Sequence, residues 1–123
     1  MKQHKHLHLA QRKMRRVIDE IYTVLLRAGS REVCLRIVEE EDGLRLYAAG
    51  DFAEEKAPDM KRMGEMLRPD VRSPAMVEEF WGLAGGDPYT SDSELALVGQ
   101  MVEEVELSAE NCRLELSLLV PYE

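Results

Sequence analysis

The chain has 123 residues, of which 45% are apolar and 33% are charged. This length and balance fit one soluble globular domain and argue against a disordered chain. No apolar run approaches the roughly 20 residues that a membrane-spanning helix needs, so a membrane span is not expected. The net charge of −8 argues against general binding to nucleic acid phosphates.

The charge is distributed unevenly along the chain. Residues 1–16 carry +6 and no acid, and because the whole chain carries −8, the remainder carries −14. The basic side chains of this segment are Lys2, Lys5, Arg12, Lys13, Arg15 and Arg16. Such a segment could lie against the protein's own acidic surface, against an acidic partner or against a membrane surface.

Residues 1–10 are predicted to form a basic, histidine-containing N-terminal arm or edge strand, followed by a single domain at 11–123. His4, His6 and His8 alternate, so an extended backbone would place them on one side, where they could bind a transition metal. The alternative is histidines in water, which is favoured because no nearby Cys, Asp or Glu completes a site. We therefore predict no metal site.

The chain start lacks the apolar core of a signal peptide, so the expected compartment is the cytoplasm. The two cysteines agree with a reducing compartment, because Cys34 and Cys112 are far apart and each lies in a strand-like run. We expect them to be reduced core or edge residues.

The spacing of apolar residues predicts a helix over 11–28, and Gly29 provides a stop. Glu20 lies in the middle of this helix, next to its apolar stripe. The stripe consists of Met14, Val17, Ile18, Ile21, Tyr22, Leu25 and Ala28. Alternation then predicts a β-hairpin, with strands at 32–39 and 44–49 and an acidic turn that ends at Gly43.

Residues 53–88 are predicted to be a helical, lid-like excursion, because they are poor in strand signals. Asp51 precedes two acids and could cap the segment. Methionines cluster here at Met60, Met63, Met66 and Met76, which favours core packing over an adaptable binding surface. Phe80 and Trp81 lie in a short apolar helix. We name Phe80, Trp81 and Met63 as candidate partner-binding residues; the alternative for Trp81 is burial within the monomer.

A last helix is predicted from Ser91, with Leu95, Val98, Met101, Val102 and Val105 on one stripe. The segment from Val105 to Leu107 already has strand character, and alternation predicts a final strand over 112–120. This order of elements predicts an α+β two-layer sandwich, with helices on one face of a mixed, mostly antiparallel sheet. The stripe of the first helix should pack on that sheet.

Three stretches carry a resemblance to a known family: the helix from Ile18 to Gly29, the stretch from Pro88 to Leu95, and the passage from Met101 to Leu107. They resemble the GHKL-type ATPases, and the small anti-sigma-factor serine kinases of spore-forming bacteria in particular. The resemblance implies the histidine-kinase-like ATPase (Bergerat) fold. It also implies that Glu20 matches the catalytic base and that Asp51 matches the adenine-binding aspartate.

The departures from this family lie at the nucleotide site. Val24 stands where the family has a magnesium-binding Asn, and a valine has no oxygen ligand. Ala53 and Glu55 replace glycines that allow the backbone to approach the nucleotide. The segment after Leu95 is about seven residues shorter than in the family, which removes the glycine-rich phosphate loop.

The leading hypothesis is therefore a regulatory protein-binding module with a degenerate ATP site and no cofactor, and enzymatic activity is not expected. The resemblance implies a sigma factor or an anti-anti-sigma (STAS) protein as partner, and a homodimer. One alternative is an ATP-dependent protein serine kinase that binds ATP and magnesium through an altered pocket. The other is a small structural or metal-sensing domain built on the histidine arm.

Overall fold

The computed structural model describes residues 3–68 and 91–122. The chain begins with a 25-residue helix, continues with a hairpin and further helices, and ends with a second hairpin. The elements are α1 (Gln3–Arg27), β1 (Val33–Glu39), β2 (Gly43–Asp51), a 3₁₀ turn (Glu54–Lys56), α2 (Ala57–Leu67), α3 (Ser91–Gly99), β3 (Glu103–Glu110) and β4 (Arg113–Pro121).

The four strands form one sheet in the order β1-β2-β4-β3. All three strand pairings in the described residues are antiparallel, so the sheet is more regular than the mixed sheet that was predicted. The α+β class and both predicted hairpin strands are confirmed, as is the final strand.

The helices cover one face of this sheet. On α1, the predicted stripe of Val17, Ile21 and Leu25 is fully buried. It packs towards the two central strands, where Leu46 and Leu118 are also fully buried. Burying side chains of this size stabilises the fold by about 1.5–3 kcal/mol each. The predicted packing of the first helix on the sheet is therefore confirmed.

The N-terminal segment differs from the predicted arm or edge strand, because α1 begins at Gln3. Its apolar stripe extends backwards through Ala10, which is fully buried, to Leu7, which packs against the core. Leu7 and Ala10, with His8 and Leu9 between them, are too few apolar positions to indicate helical spacing. An α-helix does not align residues i and i+2, so the extended backbone that the predicted arrangement of the histidines required is not present from Gln3 onwards.

The methionine-rich part of the predicted excursion belongs to the core and is not a lid. Met60, Met63 and Met66 are at most 3% exposed, and α2 packs against α3 and β3. Naming Met63 as a partner-binding residue is therefore corrected, since its side chain is enclosed between these elements. Phe80 and Trp81, with the remainder of the excursion, lie outside the described residues.

Two smaller expectations can also be compared with the structure. Tyr22 was placed on the buried stripe of α1, but 44% of it is exposed, because it lies on the flank of the stripe. Cys34 and Cys112 are free and exposed, so neither is a core residue. Cys34 lies on the edge strand β1, and Cys112 lies with Asn111 in the tight β3–β4 turn, where both residues have positive φ.

Candidate functional site

The predicted site residue Asp51 lies at the end of β2, beside the connection from α1 to β1. Its Oδ1 accepts hydrogen bonds from the backbone N–H groups of Arg31 and Glu32, at 2.8 and 3.1 Å. Its backbone oxygen accepts a hydrogen bond from the hydroxyl of Ser30. Asp51 therefore ties the end of β2 to the turn that follows Gly29, which ends α1 with φ of +86°.

These hydrogen bonds also set the charge state of Asp51. The backbone N–H groups of Glu32 and Arg31 stabilise the carboxylate and lower the pKa of Asp51. An ionised Asp51 can accept hydrogen bonds but cannot donate one. At least one of its two oxygens is thus committed to the protein's own backbone.

The residues beside Asp51 pack against the C-terminal end of α1. The N–H of Ala53 donates to the carbonyl of Ala28 at 2.9 Å, which draws this segment against the end of α1. A Cβ on Gly29 would lie 3.7 Å from the Cβ of Ala53. Ala53 thus fills space that a glycine would leave open.

Val24, at the predicted position of the magnesium ligand, belongs to the core. It is 9% exposed and forms part of the main apolar cluster. Glu20 and Val24 lie on neighbouring turns of α1, as residues four apart do in any α-helix. Val24 presents buried methyl groups and no oxygen that could bind a metal.

Glu20 is half-buried and lies near α3. Burial raises the pKa of Glu20, and the negative charges of Glu94 and Asp19 raise it further, against the opposing charges of Arg16 and Arg27. Glu94 is itself bound by Arg16, with Nη2 and Oε2 2.6 Å apart. Glu20 therefore lies near two other carboxylates, and one of its two basic neighbours, Arg16, is engaged with Glu94.

The segment 95–99, where the family's phosphate loop would begin, is the second half of α3. Leu95 and Val98 are buried, and their backbone is helical. Gly99 ends the helix against α2, so close that a Cβ there would lie 2.5 Å from the carbonyl oxygen of Met66. Backbone N–H groups in this helix are used internally, so no loop of free donors is formed at 95–99.

The sequence analysis did not single out the sheet face that points away from the helices. A shallow groove of about 510 Å³ lies on this face, lined by residues of all four strands. Small residues, Ala49, Ser108 and Ser117, line the groove, and Arg36 lies over the ring of Tyr47, 4.3 Å from its centroid. The alternation in each strand was the signal for this face, since these are the outward positions.

The described residues offer neither a clustered metal site nor a membrane-spanning helix. Across 3–68 and 91–122, no group of three or more His, Cys, Asp or Glu side chains is placed to hold a metal ion. Within the same ranges, none of the helices combines the length and apolar character that crossing a membrane requires.

Comparisons of the chain with protein-family models, with curated proteins and with solved structures each find no match.

Proposed function

We propose that the protein is a regulatory protein-binding module that uses the frame of the anti-sigma serine kinases without their ATP chemistry. The observation that carries the proposal is the structural use of Asp51, whose carboxylate holds two backbone N–H groups of the α1–β1 connection. The burial of Val24 and the helical segment 95–99 support it, because they leave the metal and the phosphates without contacts.

The partner that the resemblance implies is a sigma factor or an anti-anti-sigma (STAS) protein. The outward groove supports a protein partner, since it offers an aromatic ring and a cation, Tyr47 and Arg36, beside Glu106 and Glu115. Aromatic and arginine side chains are enriched among the residues that dominate binding energy at protein interfaces. Flanking charges of both signs would steer association, which should then slow as salt is added.

The groove can be tested by capturing binding proteins from the host cell with a tagged form of the chain. Tyr47→Ala should abolish capture of a sigma factor or STAS protein. Leu97→Ala is the matched control, because Leu97 is similarly exposed (39%, against 36% for Tyr47) but lies on α3. The proposed partner would be contradicted if the unchanged chain captured neither a sigma factor nor a STAS protein. The groove would be excluded as the binding site if Tyr47→Ala and Leu97→Ala captured the partner equally well.

The second candidate function is a protein serine kinase, and one observation favours it. The raised pKa of Glu20 is a property found in general bases, which work best when their pKa lies near the operating pH. A thermal-shift assay separates the candidates. A higher Tm with ATP and magnesium supports the kinase, a higher Tm with zinc or nickel supports the metal-sensing domain, and no response to either supports the binding module.

A further inference from the structure

The two edges of the sheet differ in how they are protected. In the described part of the chain, β1 pairs only with β2, and β3 pairs only with β4. β3 carries Glu103, Glu104, Glu106 and Glu110 and has a register shift between Glu103 and Glu106. Charges and bulges of this kind prevent an edge from pairing with another chain. β1 has a continuous register over its seven residues and no such interruption.

β1 also exposes apolar side chains on the helix-facing side of the sheet. Leu35 is 36% exposed and Ile37 is 47% exposed. α1 leaves them partly uncovered, and a groove of about 640 Å³ runs between Ile18 of α1 and Ile37. Tyr22 and Leu26 continue the flank of Ile18 at intervals of one helical turn, and they are 44% and 52% exposed. These side chains form one apolar seam. The groove beside it also has polar lining residues, namely His8, Gln11, Arg12, Arg15 and Glu39.

The hydrogen-bonding groups of β1 that face away from β2 can be identified from the ladder. Glu40 donates its N–H to Gly43 at the hairpin turn, so the even-numbered residues of β1 bond to β2, because bonding alternates along an antiparallel pair. The N–H of Phe52 donates to the carbonyl of Cys112, on the β4 side of β2. Even-numbered residues of β2 therefore bond to β4 and odd-numbered ones to β1, which agrees with the alternation in β1. The odd-numbered residues, from Val33 to Glu39, therefore direct their N–H and C=O groups outward.

A second copy of this chain fits this edge in one register better than in the others. A two-fold axis at Leu35 places Val33 opposite Ile37 of the second copy and Leu35 opposite its own counterpart. Apolar residues then meet along the helix-facing side of the paired strands. An axis at Arg36 would place two arginines opposite each other, and an axis at Ile37 would place Leu35 opposite Glu39.

We propose that β1 is the dimerisation edge of this protein, and that two copies pair antiparallel about Leu35 to form one continuous eight-stranded sheet. The apolar seams of the two copies then cover each other across the two-fold axis. Such an interface is isologous, so each contact occurs twice. The proposal stands on the edge strand and does not rest on the function proposed above.

Disulfide cross-linking tests the register, because Cys34 lies opposite Arg36 of the second copy in the proposed dimer. This pair is not hydrogen-bonded, and such pairs have Cα atoms about 4.5 Å apart, which a disulfide can bridge. With Cys112→Ser as background, Arg36→Cys should give a cross-linked dimer under mild oxidation. Adding Cys34→Ser should abolish the cross-link. The proposed register would be overturned if Arg36→Cys gave no cross-linked dimer, or if the cross-link persisted after Cys34→Ser was added.

Sedimentation of the full chain in reducing buffer tests the interface without any partner present. The unchanged chain should be a dimer at about 100 μM, and Leu35→Lys should raise the dimer Kd by at least about tenfold. Leu97→Lys is the matched control, because Leu97 is equally exposed but lies on α3, and it should leave the Kd unchanged. The proposal would be overturned if the unchanged chain were a monomer, or if Leu35→Lys and Leu97→Lys changed the dimer Kd equally. Neither result would bear on the function proposed above.

Discussion

The two candidate site residues, Asp51 and Glu20, lie in opposite environments. Asp51 is stabilised by backbone donors, and its ionised form is favoured. Glu20 is half-buried among other carboxylates, and its ionised form is disfavoured. The difference shows that the surroundings of a carboxylate decide its role. The charge of Asp51 ties two segments of the fold together, whereas the charge of Glu20 opposes folding.

The largest effect is expected from Val24→Asn, which introduces at this position the residue that the resemblance implies. Val24 belongs to the core, so the substitution removes apolar contacts and buries an amide. We expect unfolding to become easier by about 2–3 kcal/mol, measured by urea denaturation. Thr23→Asn, one residue away and half-buried, is the control and should change stability by about 0.5 kcal/mol or less. An unchanged stability with gained magnesium–ATP binding would contradict the structural role of position 24.

Asp51→Ala should lower the Tm by more than Asp51→Asn does. The amide oxygen of Asn can accept the hydrogen bonds of Arg31 and Glu32, whereas Ala leaves both donors without their partner. Equal melting temperatures for the two variants would show that these hydrogen bonds do not hold the connection.

The pH dependence of the Asp51→Ala effect has a defined sign. Because folding lowers the pKa of Asp51, the ionised carboxylate stabilises the protein above its ordinary pKa of about 3.9, and this contribution disappears as the pH falls through the folded value. Melting curves should therefore show the largest difference between the unchanged chain and Asp51→Ala near neutral pH and a smaller one below about pH 4. A difference that grows with acidification would contradict this assignment.

Glu20→Gln should have the smallest effect, in the opposite direction. The raised pKa of Glu20 means that its charge destabilises the fold at neutral pH. We expect the variant to raise the Tm at pH 7 by at most about 2 °C, because solvent screens the charge of a side chain that is only partly buried. The gain should vanish as the pH falls below the ordinary pKa of about 4.3, where Glu20 is protonated in both states. A destabilised variant at neutral pH would show that the Glu20 charge supports the fold.

The sequence predicted the elements whose signals are local. The stripe of Val17, Ile21 and Leu25 and the alternation in the strands follow from short-range periodicity, and both were confirmed. The start of α1 was missed because the alternating histidines suggested an extended backbone, and two apolar residues, Leu7 and Ala10, are too few to indicate helical spacing.

The structural role of Asp51 could not be predicted, because its hydrogen bonds join residues about 20 positions apart. Its position before two acids favoured a helix cap, and only the folded chain brings it to the α1–β1 connection. The position of β1 at the edge of the sheet could not be predicted for the same reason. The composition of β1 is visible in the sequence, but its position at the edge depends on β2 pairing with β4 across the chain.

The central proposal, that this protein does not bind nucleotide, is tested most directly by calorimetric titration of the full chain with ATP and magnesium. We expect no saturating heat signal up to about 1 mM ATP, because Val24, Ala53, Glu55 and 95–99 do not offer the metal, adenine and phosphate contacts that the resemblance implies, and charge-assisted contacts of this kind contribute about 1.5–3 kcal/mol each. A saturating titration with a Kd below about 100 μM would contradict it and favour the kinase.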